Sequence, residues 1–525
     1  MKKAIRRANR SLTIGAAAAV LSISYLLSGV FGLLRDRLLT AQFGLEGDLD
    51  AYFIAFSIPD LLFFILVSGA LTVTLLPVLT ERFKANNKKS AWEISSSMIN
   101  LLALLTIIAS VLLFAFADPL IRLLAPSFDP ERHQLAVDIM RILSLNPFFF
   151  AVSSVFGTIQ QAFGRFFFFA IAPIIYNLGI IFGVVYLSDM FGIHGVAYGV
   201  VIGAVAQAGV QWLGVVGLGF QYKPHIFWKN KGFRQVIRLI IPRSADESIV
   251  YLTTLIERAI ASSLVVGSVA AYQLAFNLKN YPITLIGTAI ATAAFPKLSE
   301  RALSTRTDLL KKEILDVVRA ILWFAVPTAV AVVLLRGYIV RLLLGFGDVV
   351  VANIFGWFAV AIVFQCILRI VARVFYAQQD TKTPLYANIM AIVLNTVLAL
   401  SLVQIFGVVG LAMSHSITSI FIVAFLVLVL IRRLGMFFTK TFISNVGNIL
   451  ISSAAMGGVT YLLIRFVFPL LAGETGFFTL APKFSAIVLI SMSIYVFVGS
   501  QLRLPEALVV SSRLKRIINQ RVQIG

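Results

Sequence analysis

Cysteine and charge are both scarce in this chain of 525 residues. Cys366 is the only cysteine and sits within an apolar run, which excludes a disulfide framework and a thiolate metal centre. His133, His194, His225 and His415 are the only histidines and are scattered without ligand spacing, so no metal is expected. Charged residues make up only 13% of the chain, about half the share of an ordinary soluble domain. The chain also lacks a glycine-rich phosphate loop, a zinc spacing, and any connecting segment long enough to form a catalytic domain. These absences argue against an enzyme and against a nucleotide-driven pump without a separate subunit.

What the chain has instead is apolar sequence. Hydrophobic residues account for 59% of it and recur in runs long enough to cross a bilayer. About fourteen such runs can be counted, from 12–43 to 483–502. The expected fold class is therefore an all-α polytopic membrane protein. The net charge of +21 would suit a nucleic-acid partner if the cations formed one patch. They fall instead in alternate connections, at Lys84, Lys88 and Lys89, at Lys229 and Lys231, and at Arg432 and Arg433. That alternation follows membrane topology and places both termini in the cytoplasm, with no nucleic-acid partner. The opening "MKKAIRRANR" imitates a signal peptide, but no small-residue cleavage site follows, so a retained first helix is expected.

Three segments recur in order. "PVLTER" at 77–82 returns as "PKLSER" at 296–301, "QQ" at 160–161 as "QQ" at 378–379, and "FGIHGVA" at 191–197 as "FGVVGLA" at 406–412. The spacing is nearly constant, which indicates a duplicated unit of six spans. The resulting expectation is a six-helix lobe over 1–222, a second over 223–438, and two extra helices with a basic cytoplasmic tail over 439–525. Six is even, so the two lobes share one orientation as parallel repeats. Such lobes typically flank a substrate cavity, which points to a transporter driven by an ion gradient or the membrane potential.

Ionisable residues inside apolar runs are costly and mark function. Arg35, Asp36 and Arg37 interrupt the first run, and hydropathy alone leaves them either at the membrane surface or facing a cavity. Arg243 precedes Asp246 and Glu247 at helical spacing, and Glu257 lies deeper in the same run. Gln365, Arg369 and Arg373 recur every fourth residue and form one stripe suited to an anionic substrate, although Arg373 could instead snorkel to the surface. Asp60, Lys279, Asp138 and Arg141 are weaker candidates. Asn177 and Asn395 could join helices or bind a ligand.

The stretches "GLLRDRLLTAQFG", "DAYFIAFSIPDLL", "GRFFFFAIAPIIYNLGI", "GTAIATAAFPKLSE" and "FYAQQDTKTPLYANI" resemble the MurJ (MviN) family of lipid II flippases, within the multidrug/oligosaccharidyl-lipid/polysaccharide exporter superfamily. They follow one another in the family's order over nearly the whole chain. The resemblance implies fourteen helices, with the last pair forming a groove for the lipid tail. It implies that the chain flips undecaprenyl-diphosphate-linked peptidoglycan precursor, lipid II, from the inner to the outer leaflet of a bacterial cytoplasmic membrane by alternating access. The alternative is export of another lipid-linked glycan or antiport of a small cation.

By the same resemblance Arg35, Asp36, Asp50 and Arg373 would contact substrate, and the polar residues Arg369, Asn177 and Lys279 inside apolar runs join them as candidates. Glu257 and Asn395 fall where relatives are linked to sodium, although the carboxylate expected one turn after Asn395 is Ala399. No cofactor is implied beyond coupling to sodium ions or protons. The partners implied are the lipid-linked precursor and membrane lipids, for a monomer. Where the family pattern has cations, this chain has Gly29, Phe63, Phe64 and Asn277, so Arg35 would carry more of the grip.

Overall fold

The computed structural model describes residues 14–67, 70–303, 307–471, 473–474 and 476–522. The N-terminal basic segment, Ser68 and Gly69 lie outside the described residues, as do the side chains of Arg243, Asp246 and Glu247. Every regular element among the described residues is helical. In hydrocarbon a chain must satisfy its own backbone N–H and C=O groups, and a helix does so within a single segment. Eleven helices, from Gly47–Leu66 to Phe477–Gln501, are long and apolar enough to cross a membrane. The apolar helix Ile14–Phe43 and the longer Lys231–Ser262 accompany them.

The chain packs as two compact units, residues 1–270 and 271–525. The helices that matter for the first unit are α1 (Ile14–Phe43), α2 (Gly47–Ala55), α3 (Ser57–Leu66), α4 (Phe167–Phe182), α5 (Ile193–Val215) and α6 (Lys231–Ser262). Its buried core joins Leu75, Val78, Trp92, Met98 and Ile159 to Phe233 and Val236 of α6. The helix expected to open the second lobe therefore buries its apolar face within the first unit.

Helices α4 and α5 meet along glycines. A Cβ on Gly183, just past α4, would sit 2.8 Å from the Cα of Gly199 on α5. Only bare backbone allows that approach, and in lipid such close van der Waals packing substitutes for the hydrophobic drive available in water. Gly192 opens α5 with φ +56°, and Gly407 holds φ +57° in the matching turn of the second unit. L side chains rarely adopt that conformation, so the repeated "FG" is a repeated turn.

The second unit contains α7 (Ser268–Pro282, beginning in the first unit), α8 (Ala289–Leu303), α9 (Thr307–Leu344), α10 (Val349–Ala377), α11 (Lys382–Phe406) and α12 (Val409–Leu434). Two further helices, α13 (Lys440–Leu462) and α14 (Phe477–Gln501), pack on α9. Trp323 of α9 stacks near Tyr495 of α14 with ring centroids 4.3 Å apart, and the Tyr495 hydroxyl donates to the Trp323 carbonyl at 2.8 Å. Met456 of α13 closes this core.

Candidate functional site

Helix α1 rises about 1.5 Å per residue, so Arg35 lies roughly 32 Å beyond Ile14. Its guanidinium is held on two sides. Nε and Nη2 donate to Asp36 Oδ1 at 2.9 and 2.7 Å, and Nη1 donates to Asn177 Oδ1 of α4 at 3.2 Å. Asn177 Nδ2 in turn donates to the Pro173 carbonyl at 3.0 Å. This fixes the amide's orientation, with its oxygen toward the arginine. A guanidinium carries five N–H donors, and three are spent here. The Asp36 side chain is 2% exposed, whereas Arg35 keeps 22% of its own surface open. The carboxylate thus offsets the cost of a cation in low dielectric and leaves the outer edge of the fork able to reach an anion.

A second polar cluster in the first unit was poorly marked in the sequence. Arg258 is buried on α6; its Nη1 donates to Tyr251 Oη at 3.1 Å and to Ser57 Oγ at 3.3 Å. The Tyr251 hydroxyl donates to Asp60 Oδ2 at 3.4 Å. Tyr251 precedes Arg258 by seven residues, two turns on one helix face, and that spacing was the available signal. An aromatic seam joins the two clusters. Tyr176 lies 5.2 Å from Phe150, Phe150 5.4 Å from Phe63, Phe63 5.9 Å from Phe64, and Phe64 stacks 4.7 Å from Tyr251. Phe63 and Phe64, standing where the family pattern has cations, build this seam.

Asp50 has a different surrounding. Its two oxygens accept from the backbone amides of Gly267 and Ala270 at 2.7 and 2.8 Å. Those amides lie just before and within the first turn of the helix Ser268–Pro282, where N–H groups lack helical partners. Glu257 is completely buried on α6.

In the second unit the stripe on α10 divides. Arg373 Nη2 donates to Thr292 Oγ1 of α8 at 2.9 Å, and the guanidinium lies 5.8 Å from the Phe295 ring. Arg369, one turn earlier, is exposed. Gln365 turns toward α12, with its Nε2 2.6 Å from His415 Nε2. Lys279 of α7 reaches the same ring nitrogen at 2.5 Å, with its ammonium 4.0 Å from the Phe276 ring and 4.4 Å from the Phe358 ring. Only 1% of Lys279 is exposed, so in this conformation its ammonium faces the histidine and aromatic rings. His415 was passed over in the sequence because its contact lies 136 positions away. Asn395 on α11 is also buried, and neither polar atom of its amide meets a partner among the described residues.

A family model described as lipid II flippase MurJ matches residues 39–481. A probable lipid II flippase MurJ of Thermotoga maritima is 28% identical over 493 residues, covering 92% of this chain and 96% of the relative. The lipid II flippase MurJ of Burkholderia cenocepacia is 26% identical over 416 residues, covering 75% and 80%. A solved lipid II flippase MurJ in an inward closed conformation shares the fold at TM-score 0.75 and 24% identity, covering 91% of this chain and 98% of that one. An inward-facing multidrug resistance transporter of the MATE family, in the MOP superfamily, follows at TM-score 0.67 and 17% identity, covering 80% and 98%.

Proposed function

The chain belongs to the family of lipid II flippase MurJ, and from that premise we infer that it moves lipid II from the inner to the outer leaflet by alternating access. The observation that carries the chemistry is the preset Arg35 fork, neutralised from behind by Asp36 and steered by Asn177. A diphosphate presents oxygens that a guanidinium can meet in pairs, which an ammonium cannot do. Compensation by Asp36 also keeps the grip from becoming permanent, because a bare buried cation would hold an anion too tightly to release it.

In the second unit, Arg369 and Arg373 offer cations at a helical repeat, a pattern suited to an anionic group. Asp50 acts through the backbone amides it orders. Lys279 would reach substrate only in a conformation that frees it from His415. The buried Glu257 in one unit and the buried Asn395 in the other are the candidates for coupling-ion ligands, whether for sodium or for protons. The protein would reside in the bacterial inner membrane as a monomer with both termini in the cytoplasm.

The test is complementation. In a bacterium depleted of its own flippase, this chain should restore growth and the appearance of lipid II in the outer leaflet. If the protein is abundant and folded in the membrane but lipid II stays inside, peptidoglycan precursor is not its cargo.

A further inference from the structure

We propose that Lys279 and His415 form a proton-binding pair in the second unit, with Gln365 as an adapter that serves either protonation state. This deepens the transport reading above by assigning proton sensitivity to a defined site.

The geometry comes first. Lys279 Nζ and Gln365 Nε2 both point at His415 Nε2, at 2.5 and 2.6 Å. A charged lysine has only N–H groups to offer, so with Lys279 as ammonium the facing Nε2 accepts and the neutral imidazole carries its proton on Nδ1. The positive charge then sits on the ammonium, where the faces of Phe276 and Phe358 favour it. The same two rings lie edge-on to the histidine, with centroids 6.0 and 5.6 Å away. Both rings therefore border both members of the pair.

A second proton changes this arrangement. It would form an N–H bond at His415 Nε2, removing the lone pair that accepts from Lys279. The pair's charge would rise from one to two, and two cations 2.5 Å apart between aromatic rings repel strongly. The ammonium must then either leave the contact or give up its own proton. Gln365 need not leave, because rotating its amide presents an oxygen to accept the new N–H. Its Nε2 also lies 3.4 Å from Ser419 Oγ, one turn beyond His415 on α12. Where the ammonium leaves, protonation is read as a separation of α7 from α12, the two helices that carry Lys279 and His415.

The other ionisable groups on the helices concerned are few. Helix α7 adds Tyr272 and Tyr281, while α10 adds Cys366, Arg369 and Arg373, with Tyr376 at its end. Helices α11 and α12 bring no others except near their Lys382 and Arg432 ends, where α11 also has Tyr386 and α12 has Arg433. Of these, Tyr272 approaches the two phenyl rings, with its ring 5.7 Å from Phe358.

Two measurements on the full-length protein in liposomes test the pair. First, nitrogen NMR of histidine-labelled protein should show one imidazole, identified by its loss in His415→Gln, that changes protonation state between about pH 5 and pH 9. Lys279→Gln should move that transition by about one pH unit or more. A transition indifferent to Lys279→Gln, or none at all, overturns the pair. Second, lipid II flipping should respond to an imposed pH gradient by up to about tenfold per unit, and that response should shrink toward one in His415→Gln. If wild type flips lipid II with no gradient response, or His415→Gln keeps the full response, the pair is overturned while the flippase reading stands. If folded wild type flips no lipid II, that reading fails, and the NMR titration still decides the pair. Should Lys279→Gln not fold, Lys279→Met, which also removes the charge, takes its place in the titration with the same shift expected.

Discussion

The Arg35 guanidinium and the Asn177 carboxamide, 142 positions apart in the chain, meet at 3.2 Å. One lies on the first described helix and the other on α4, and each is already anchored locally, to Asp36 and to the Pro173 carbonyl. The contact therefore sets a direction for the fork rather than holding the helices together. Arg35→Lys should keep the charge but lose the paired donors, lowering the flipping rate by about 10- to 100-fold. Fluorescent lipid II translocation in proteoliposomes reads this, and an unchanged rate would remove Arg35 from the grip.

Asp36→Ala should behave differently, as a stability defect. It strands a largely buried cation, and removing one partner of a buried pair costs about 3–5 kcal/mol. The expected result is a marked fall in melting temperature in detergent. Arg35→Ala together with Asp36→Ala should recover much of that loss, because no uncompensated charge is left.

Tyr251 stands between Arg258 and Asp60, receiving from one and donating to the other. Tyr251→Phe keeps the stack on Phe64 but deprives both charged groups of a partner, at about 1–3 kcal/mol. The stability loss should be measurable by thermal melting, and Phe64→Leu combined with it should add little if the hydroxyl dominates.

Gly183 is a packing site, with the Gly199 Cα 2.8 Å from where its Cβ would lie. Gly183→Val should cost about 1–3 kcal/mol by overpacking α4 against α5. Gly209→Ala on α5 is the control, since a Cβ there meets nothing within 4 Å. Equal melting temperatures for the two variants would refute the close approach.

Asp380, in the turn between α10 and α11, is the titration to follow. Burial alone would raise its carboxyl, but it is outweighed by hydrogen bonds from the Thr383 hydroxyl and amide and from Arg433, which hold it at about 2 against an ordinary 3.8. Because the folded value is the lower one, this stabilisation is complete above the ordinary carboxylate value and disappears as pH falls through about 2. Melting temperature of the wild type should fall across that acid window. In Asp380→Asn the same window should be flatter.

Much of the architecture was legible in the residues themselves. Apolar runs dictated membrane helices because hydrocarbon tolerates no unpaired backbone, and the repeated glycines at 192 and 407 marked the same left-handed turn twice. Arg35 and Asp36 stood out because charge in an apolar run is costly, but the sequence left them between the membrane surface and a cavity. Helical spacing linked Gln365, Arg369 and Arg373, yet spacing says only which residues share a face.

What a side chain finds opposite that face was decided by tertiary packing alone. Gln365 turns to His415 while Arg373 turns to Thr292, although both belong to one stripe. Lys279 meets a histidine 136 positions away, and Asp50 turns to the amides of Gly267 and Ala270. Local sequence fixes the period and cost of each residue. Long-range contacts depend on how helices from distant segments pack, and no periodicity in the sequence records that.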